Sequence, residues 1–150
     1  MTGPELLKAW AEGQRYFACA DLRGADLYGA DLRGADLKEV KGADLAVAQT
    51  RILPDEGEVV GWKKCLNGVI VKLKVPADAK RSHAFGRKCR AEYVEVLDII
   101  GAEVGISQLD YRTEYRKGAT VRCDRFDPDW TVECTGGIHF FITRIEAEDY

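Results

Sequence analysis

Between Lys72 and Arg90 the chain sets seven basic residues (Lys72, Lys74, Lys80, Arg81, Arg87, Lys88 and Arg90) against one acid, Asp78. His83 lies among them, and Lys63 precedes them. Side chains of this kind can hold a phosphate, a nucleotide or a nucleic acid. The candidates for an anion site are therefore Lys63, Lys72, Lys74, Arg81, His83, Arg87, Lys88 and Arg90. The simpler reading is a solvated or internally paired cluster, because Gly101 to Tyr150 carries six basic and ten acidic residues. A net charge of −3 argues against duplex DNA as a partner, since duplex binders usually show a clearly basic domain.

Other chemistries find less. His83 and Cys89 are the residue types of a base and a nucleophile, but a pair six apart in a basic loop matches many inert loops. Cys123, Cys134 and His139 lack the C-x-x-C spacing that supports zinc. There is no phosphate-cradling glycine loop with its Lys-Ser/Thr, and no dinucleotide fingerprint. No catalytic residue, metal ligand or cofactor is assigned. The five cysteines are odd in number and widely scattered, which fits a reducing cytosol better than a disulfide framework. No signal-peptide core and no apolar run of membrane-spanning length is evident, so a cytoplasmic location is expected and a membrane partner is not.

The elements that must position these residues begin after a linker, Ile52 to Gly57. Asn67-Gly68 predicts a two-residue hairpin pairing Leu66 with Val69, Lys64 with Val71, Trp62 with Leu73 and Val60 with Val75. That register sets Lys63 opposite Lys72, with Lys74 adjacent, a repulsive arrangement that invites an anion. Cys89 to Ile100 reads as one long strand, apolar on both faces and so central in a sheet. Tyr111 to Cys123 reads as a hairpin turning at Arg116-Lys117-Gly118. Asp127-Pro128-Asp129 is a turn, and Gly136-Gly137 leads into an apolar strand, Ile138 to Ile142. Thr143-x-x-Glu146 is a capping box that starts a last helix. At the other end, Thr2-x-x-Glu5 is a second capping box, and Leu6, Leu7, Trp10 and Phe17 recur at helical spacing.

From Ala20 to Glu39 the sequence repeats in fives: ADLRG, ADLYG, ADLRG, ADLKE. No helix or strand has that period. A strict short repeat marks a solenoid. Phe17 falls in phase with the leucines, and after Glu39 the phase slips before Ala43-Asp44-Leu45 resumes it. On these residues the stretch resembles the pentapeptide-repeat proteins, a right-handed quadrilateral β-helix. The resemblance implies that Leu22, Leu27, Leu32 and Leu37 form the coil core, the alanines pack beside them, the aspartates face outward and Gly24, Gly29 and Gly34 turn the corners. Four blocks close about one turn. Four buried leucines contribute roughly 6–12 kcal/mol, while ordering twenty residues costs on the order of 30, so the coil must be covered by the chain, a second copy or a partner.

The remainder, from about Glu58, resembles an uncharacterised domain that follows short pentapeptide stretches in phage and prophage proteins. Gly61-Trp62-Lys63-Lys64, Gly86 to Tyr93 and Gly137 to Arg144 carry that likeness. A weaker one bears on chemistry. Gly137-Ile138-His139-Phe140, with Ala147 and Tyr150, is similar to a segment of poly(ADP-ribose) polymerases and related ADP-ribosyltransferases. It implies a nucleotide pocket flanked by His139 and Tyr150. The tyrosine of that family is His139 here, and its later-strand glutamate has no counterpart, so a degenerate, non-catalytic relative is implied.

The expected fold is mainly β (α+β): a short right-handed quadrilateral β-helix coil capped by an N-terminal helix, residues 1–50, then a small β-rich domain ending in a short helix, residues 51–150. The expected function is a non-catalytic interaction or assembly module, a phage accessory factor binding itself or a host protein through the coil. A nucleotide or ADP-ribose binder, with a small anionic ligand, is the alternative. DNA mimicry of the topoisomerase-inhibitor kind is a third reading, set aside because Asp21, Asp26, Asp31 and Asp36 would lie on four different sides.

Overall fold

The computed structural model describes residues 1–27, 30–32, 34–83 and 86–150; the expected corner at Gly29 lies outside them. The chain is mostly strands with few helices, divided into two compact units. One comprises Met1–Ile52 with His83–Gly86 and Asp129–Glu133; the other comprises Leu53–Ser82, Arg87–Pro128 and Cys134–Tyr150.

In the first unit, helix α1 (Gly3–Ala11) starts at the expected capping box. Thr2 Oγ1 accepts from the Glu5 amide (3.4 Å), and Glu5 Oε2 accepts from the Thr2 amide (2.7 Å). The helix ends before Phe17, which belongs to the repeat rather than to the helical face. Phe17, Leu22, Leu27, Leu32 and Leu37 are each at most 2 % exposed and form one cluster with Leu6 of α1. Each of the five accepts, at its carbonyl, an amide three residues on: Ala20, Ala25, Ala30, Ala35 and Val40 respectively. The residue between turn and next block takes left-handed backbone, at Gly24 (φ 73°) and Gly34 (φ 84°) but also at Cys19 (62°) and Glu39 (56°). The aspartates serve the turn as well, since Asp21 and Asp36 accept the amides of Arg23 and Lys38 at 3.1 Å.

After twenty residues the chain returns to lie beside itself. Parallel bridges join Tyr16 to Asp36 and Asp21 to Lys41. The phase slip at Val40 does not lead into another block: Asp44–Thr50 is a helix, α2, with Ala43 and Val47 packed into the leucine cluster. α1 meets the same layer, where a Cβ on Gly3 would come within 2.4 Å of the Asp26 carbonyl oxygen.

Among the described residues the second unit holds nine strands: β1 (Val59–Lys64), β2 (Ile70–Val75), β3 (Arg81–His83, whose last residue falls in the first unit), β4 (Cys89–Ala91), β5 (Tyr93–Ile100), β6 (Val104–Ile106), β7 (Glu114–Arg116), β8 (Thr120–Arg122) and β9 (Ile138–Phe140). A last helix, α3 (Arg144–Asp149), starts at Thr143, whose Oγ1 accepts the Glu146 amide at 3.4 Å. The sheets are ordered β1-β2-β5-β8, β3-β4-β9 and β6-β7, with β1–β2, β2–β5, β5–β8, β4–β9 and β6–β7 antiparallel.

Three expectations are corrected here. The β1–β2 register is displaced by one: Lys64 faces Ile70, Lys63 faces Val71, Trp62 faces Lys72 and Gly61 faces Leu73. The Asn67-Gly68 turn is present, with Val69 N–H on the Leu66 carbonyl. But Cys65 N–H also bonds the Val69 carbonyl at 2.7 Å, so two residues oppose one, and this bulge shifts every later pair. The long strand is broken at Glu92, which bonds Lys80 and Cys123, so β4 and β5 join different sheets, each as an inner strand. The 111–123 hairpin also parts, because β7 pairs with β6 and β8 with β5, although Ala119 N–H closes the expected turn onto Arg116.

The left-handed positions give a test of opposite signs. A residue with Cβ costs about 1–2 kcal/mol in that region, and glycine escapes the cost. Cys19→Gly should raise the unfolding free energy of the first unit by up to about 1 kcal/mol, and Gly34→Val should lower it by about 1–2, measured by urea denaturation at constant slope.

Candidate functional site

A cleft of about 770 Å³ opens within the β-rich unit, lined by side chains from β1, β7, β9, the stretch before β4 and the end of the chain. Lys63, Lys88, Tyr115, His139, Phe141 and Tyr150 all face it, with Lys64, Arg122, Arg125, Asp110 and Asp124 also on its wall.

The bulge puts Lys63 there. In the observed register Lys63 stands opposite Val71, on the face shared with Leu73 and Val75, which are fully buried. Gly61, two residues earlier on that face, lets β9 close in; a Cβ there would meet the Phe140 ring at 2.4 Å. Trp62 N–H and C=O exchange hydrogen bonds with Phe141 at 2.8 Å, fixing β1 beside the end of β9. The Lys63 ammonium then donates to the His139 carbonyl (3.0 Å) and lies 5.8 Å from the centre of the Tyr115 ring. Among the described residues no carboxylate forms an ion pair with it, and Asp110 attracts it only from a distance. Asp110 is engaged in its own turn, accepting from the Arg112 and Thr113 amides at 2.9 Å. Desolvation, with Lys88 adding repulsion, lowers the Lys63 pKa to about 8.

Lys88 is the second cation. Its Nζ donates to Tyr150 Oη (2.7 Å) and contacts Cys134 Sγ (3.7 Å). Burial works against this ammonium, but the Tyr150 hydrogen bond and the neighbouring Cys134 outweigh it and the pKa is raised. The Tyr150 ring packs on Phe141 with centroids 5.3 Å apart. His139 is half-buried, and desolvation lowers its pKa to about 4, so it is neutral at pH 7. Its Nε2–H therefore donates to the Thr135 carbonyl at 2.8 Å. Burial also pushes the Tyr115 hydroxyl upward, away from ionisation.

The other sequence candidates are placed elsewhere or already engaged. Lys72 faces Asp98 on β5 and lies over the Trp62 ring, so the expected Lys63–Lys72 repulsion does not arise. Lys74 pairs with Glu95 (2.9 Å) and Glu58 (3.3 Å). Arg81 donates to the carbonyls of Gly57, Pro76 and Ala79. Arg87 pairs with Glu146 at 2.8 Å. Arg90 is 1 % exposed and donates to the Asp127 and Gly136 carbonyls and to Ser82 Oγ. His83 is buried with Nε2 at the Gly86 carbonyl, and Cys89 Sγ contacts the Arg87 carbonyl. Among the described residues no group of three His, Cys, Asp or Glu side chains could hold a metal ion. Also among them, no helix is long and apolar enough to cross a membrane.

The cleft thus gathers two of the eight charge-based candidates, Lys63 and Lys88, with the two residues of the nucleotide-pocket expectation, His139 and Tyr150. Tyr115, Phe141, Arg122 and Arg125 were not singled out for it. In the sequence they are ordinary strand and loop residues; the β6–β7 pairing brings Tyr115 round, the β5–β8 pairing Arg122 with Arg125 after it, and the bridge to Trp62 brings Phe141.

The desolvated Lys63 charge fixes a pH dependence. An unfolded-state pKa near 10.5 against about 8 in the fold means the unfolded chain binds more protons between those values. Stability should therefore rise with pH from 8 to 10.5, with the penalty complete below pH 8 and worth on the order of 3 kcal/mol. Lys63→Met should remove that increment and be the more stable protein at pH 7, read as the difference between wild-type and variant urea midpoints across the window.

A model of the family described as "Family of unknown function (DUF5758)" matches residues 49–147. The model for pentapeptide repeats, of eight copies, matches residues 16–41 before it. No curated protein and no solved structure matches the chain.

Proposed function

The chain belongs to the DUF5758 family of unknown function, with pentapeptide repeats ahead of that domain, and we propose that it is a non-catalytic binding module whose cleft receives a small anionic ligand. The observation that carries this reading is the Lys63 ammonium, partly withdrawn from water with one neutral acceptor, Asp110 acting on it only at a distance and no ion-pair partner among the described residues. A buried charge left in that state is costly, and an incoming phosphate or carboxylate would relieve the cost. Lys88 supplies a second positive charge, and the Phe141, Tyr115 and Tyr150 rings supply apolar wall for the rest of the ligand. A nucleotide or ADP-ribose suits that combination of charge, rings and volume, as the likeness around His139 and Tyr150 implied.

In this reading the repeat is one turn of a right-handed quadrilateral β-helix. The parallel bridges twenty residues apart and the inward leucines support it. The first unit would serve assembly, with itself or with a host protein, as an accessory factor of phage or prophage in the bacterial cytoplasm. What favours an assembly role is exposed apolar surface on that unit, with Tyr16 68 % and Leu45 55 % exposed.

Two measurements test the proposal. Pyrophosphate, ADP-ribose and NAD should raise the thermal midpoint, because a ligand at a hundred times its Kd stabilises the fold by about 2.7 kcal/mol. Lys88→Gln should abolish the shift, and no shift at millimolar ligand would end the reading. Light scattering on the eluted protein should show an oligomer that Tyr16→Lys reduces to a monomer; a wild-type monomer at high concentration would remove the assembly role.

A further inference from the structure

We propose that Lys63 is a covalent attachment site, its amine condensing with the carbonyl carbon of an aldehyde or 2-oxo acid that also carries a phosphate or carboxylate. The proposal rests on the anion-cleft reading and adds a bond to it.

The geometry has three parts. Lys63 lies on the cleft wall, and among the described residues its Nζ donates to the His139 carbonyl at 3.0 Å and enters no ion pair. Lys88 stands in the same cleft as a permanent cation, held by Tyr150, and can take the ligand's anionic group while the carbonyl reaches Lys63. The groups that face Lys63 are Lys88, Cys65, Asp110, Tyr115 and His139. None of these is a carboxylate paired to it, and His139 and the buried Tyr115 hydroxyl are neutral at pH 7.

The amine must be uncharged to attack. Burial and the Lys88 charge bring the Lys63 pKa to about 8 from 10.5, which makes the neutral fraction at pH 7 about 300-fold larger than for an ordinary lysine. The Nζ lone pair forms the C–N bond as the carbonyl π electrons move to oxygen. Both hydrogens of the neutral amine leave with that oxygen as water, giving the imine. No oxidant or reductant enters, and hydrolysis reverses the step.

The test uses the full chain and pyridoxal 5′-phosphate, a probe that joins an aldehyde to a phosphate. One equivalent at pH 7 is followed by borohydride reduction and peptide mapping by mass. Lys63 should be modified about 100-fold faster than exposed lysines such as Lys38 or Lys117, with a rate that climbs to pH 8 and then levels. Pyridoxal without the phosphate should react at least tenfold more slowly, and so should Lys88→Gln with the phosphorylated probe. Lys63→Arg should give no adduct in the cleft, and Lys63→Met serves the same purpose if the arginine variant does not fold. Label spread evenly over exposed lysines, or a Lys63 rate still climbing at pH 10, would overturn the proposal. Should Lys63 stay unlabelled while pyrophosphate still raises the thermal midpoint, the imine is wrong and the anion cleft stands; if both fail, both are wrong.

Discussion

One surplus residue in the turn between β1 and β2 decides what the β-rich unit presents. Side chains on a strand alternate by two, so a displacement of one exchanges the inner and outer faces. Without the bulge at Cys65-Leu66, Lys63 would sit across from Lys72 and point the same way as the other basic side chains. With it, Lys63 shares a face with Val71, Leu73 and Val75, and Trp62 takes the outer position over Lys72. A long charged side chain on the buried face is tolerated because β9 offers it a carbonyl and Tyr115 a ring. The same displacement brings Gly61 under Phe140, where only a residue without Cβ fits.

The remaining basic residues show how a cluster in sequence can be dispersed by a fold. Arg81 and Arg90 each gather several backbone carbonyls, the use to which a planar guanidinium with five donors is suited. Lys74 and Arg87 find carboxylates. What stays available is defined less by the number of positive charges than by which of them meet no counter-charge. Among the described residues, Lys88 meets a phenol and a thiol, and Lys63 a carbonyl and a ring, without an ion pair; Lys64 on the same wall likewise donates to a carbonyl, that of Glu148.

Where sequence and structure agree, a local rule sufficed. The five-residue period announces buried leucines and left-handed links, and both capping boxes place their helix starts, because each depends on residues within a few positions of one another. Where they differ, the deciding contact is distant. Glu92 breaks the strand through Lys80 and Cys123; β7 and β8 follow one turn but choose different partners. Nothing in the alternation of Tyr111 to Cys123 names a partner strand. The cleft was legible only in fragments: Lys63 and Lys88 through charge, His139 and Tyr150 through likeness. That the four share one wall is a property of the register and of the β4–β9 pairing of Arg90 with His139.

Helix α2 has a consequence for how far the repeat can grow. The Leu22 amide bonds the Lys41 carbonyl of the returning chain, whereas the Leu27 amide, one block later, is taken by Gln49 Oε1 of α2 at 3.4 Å. A side chain thus occupies a backbone donor that another strand could otherwise take. A stack of such turns exposes hydrogen-bonding edges that can recruit identical chains end to end, as in fibrous aggregates. With Gln49 on it, the Leu27 amide is closed to such recruitment, so this edge of the first unit offers an incoming strand one donor fewer.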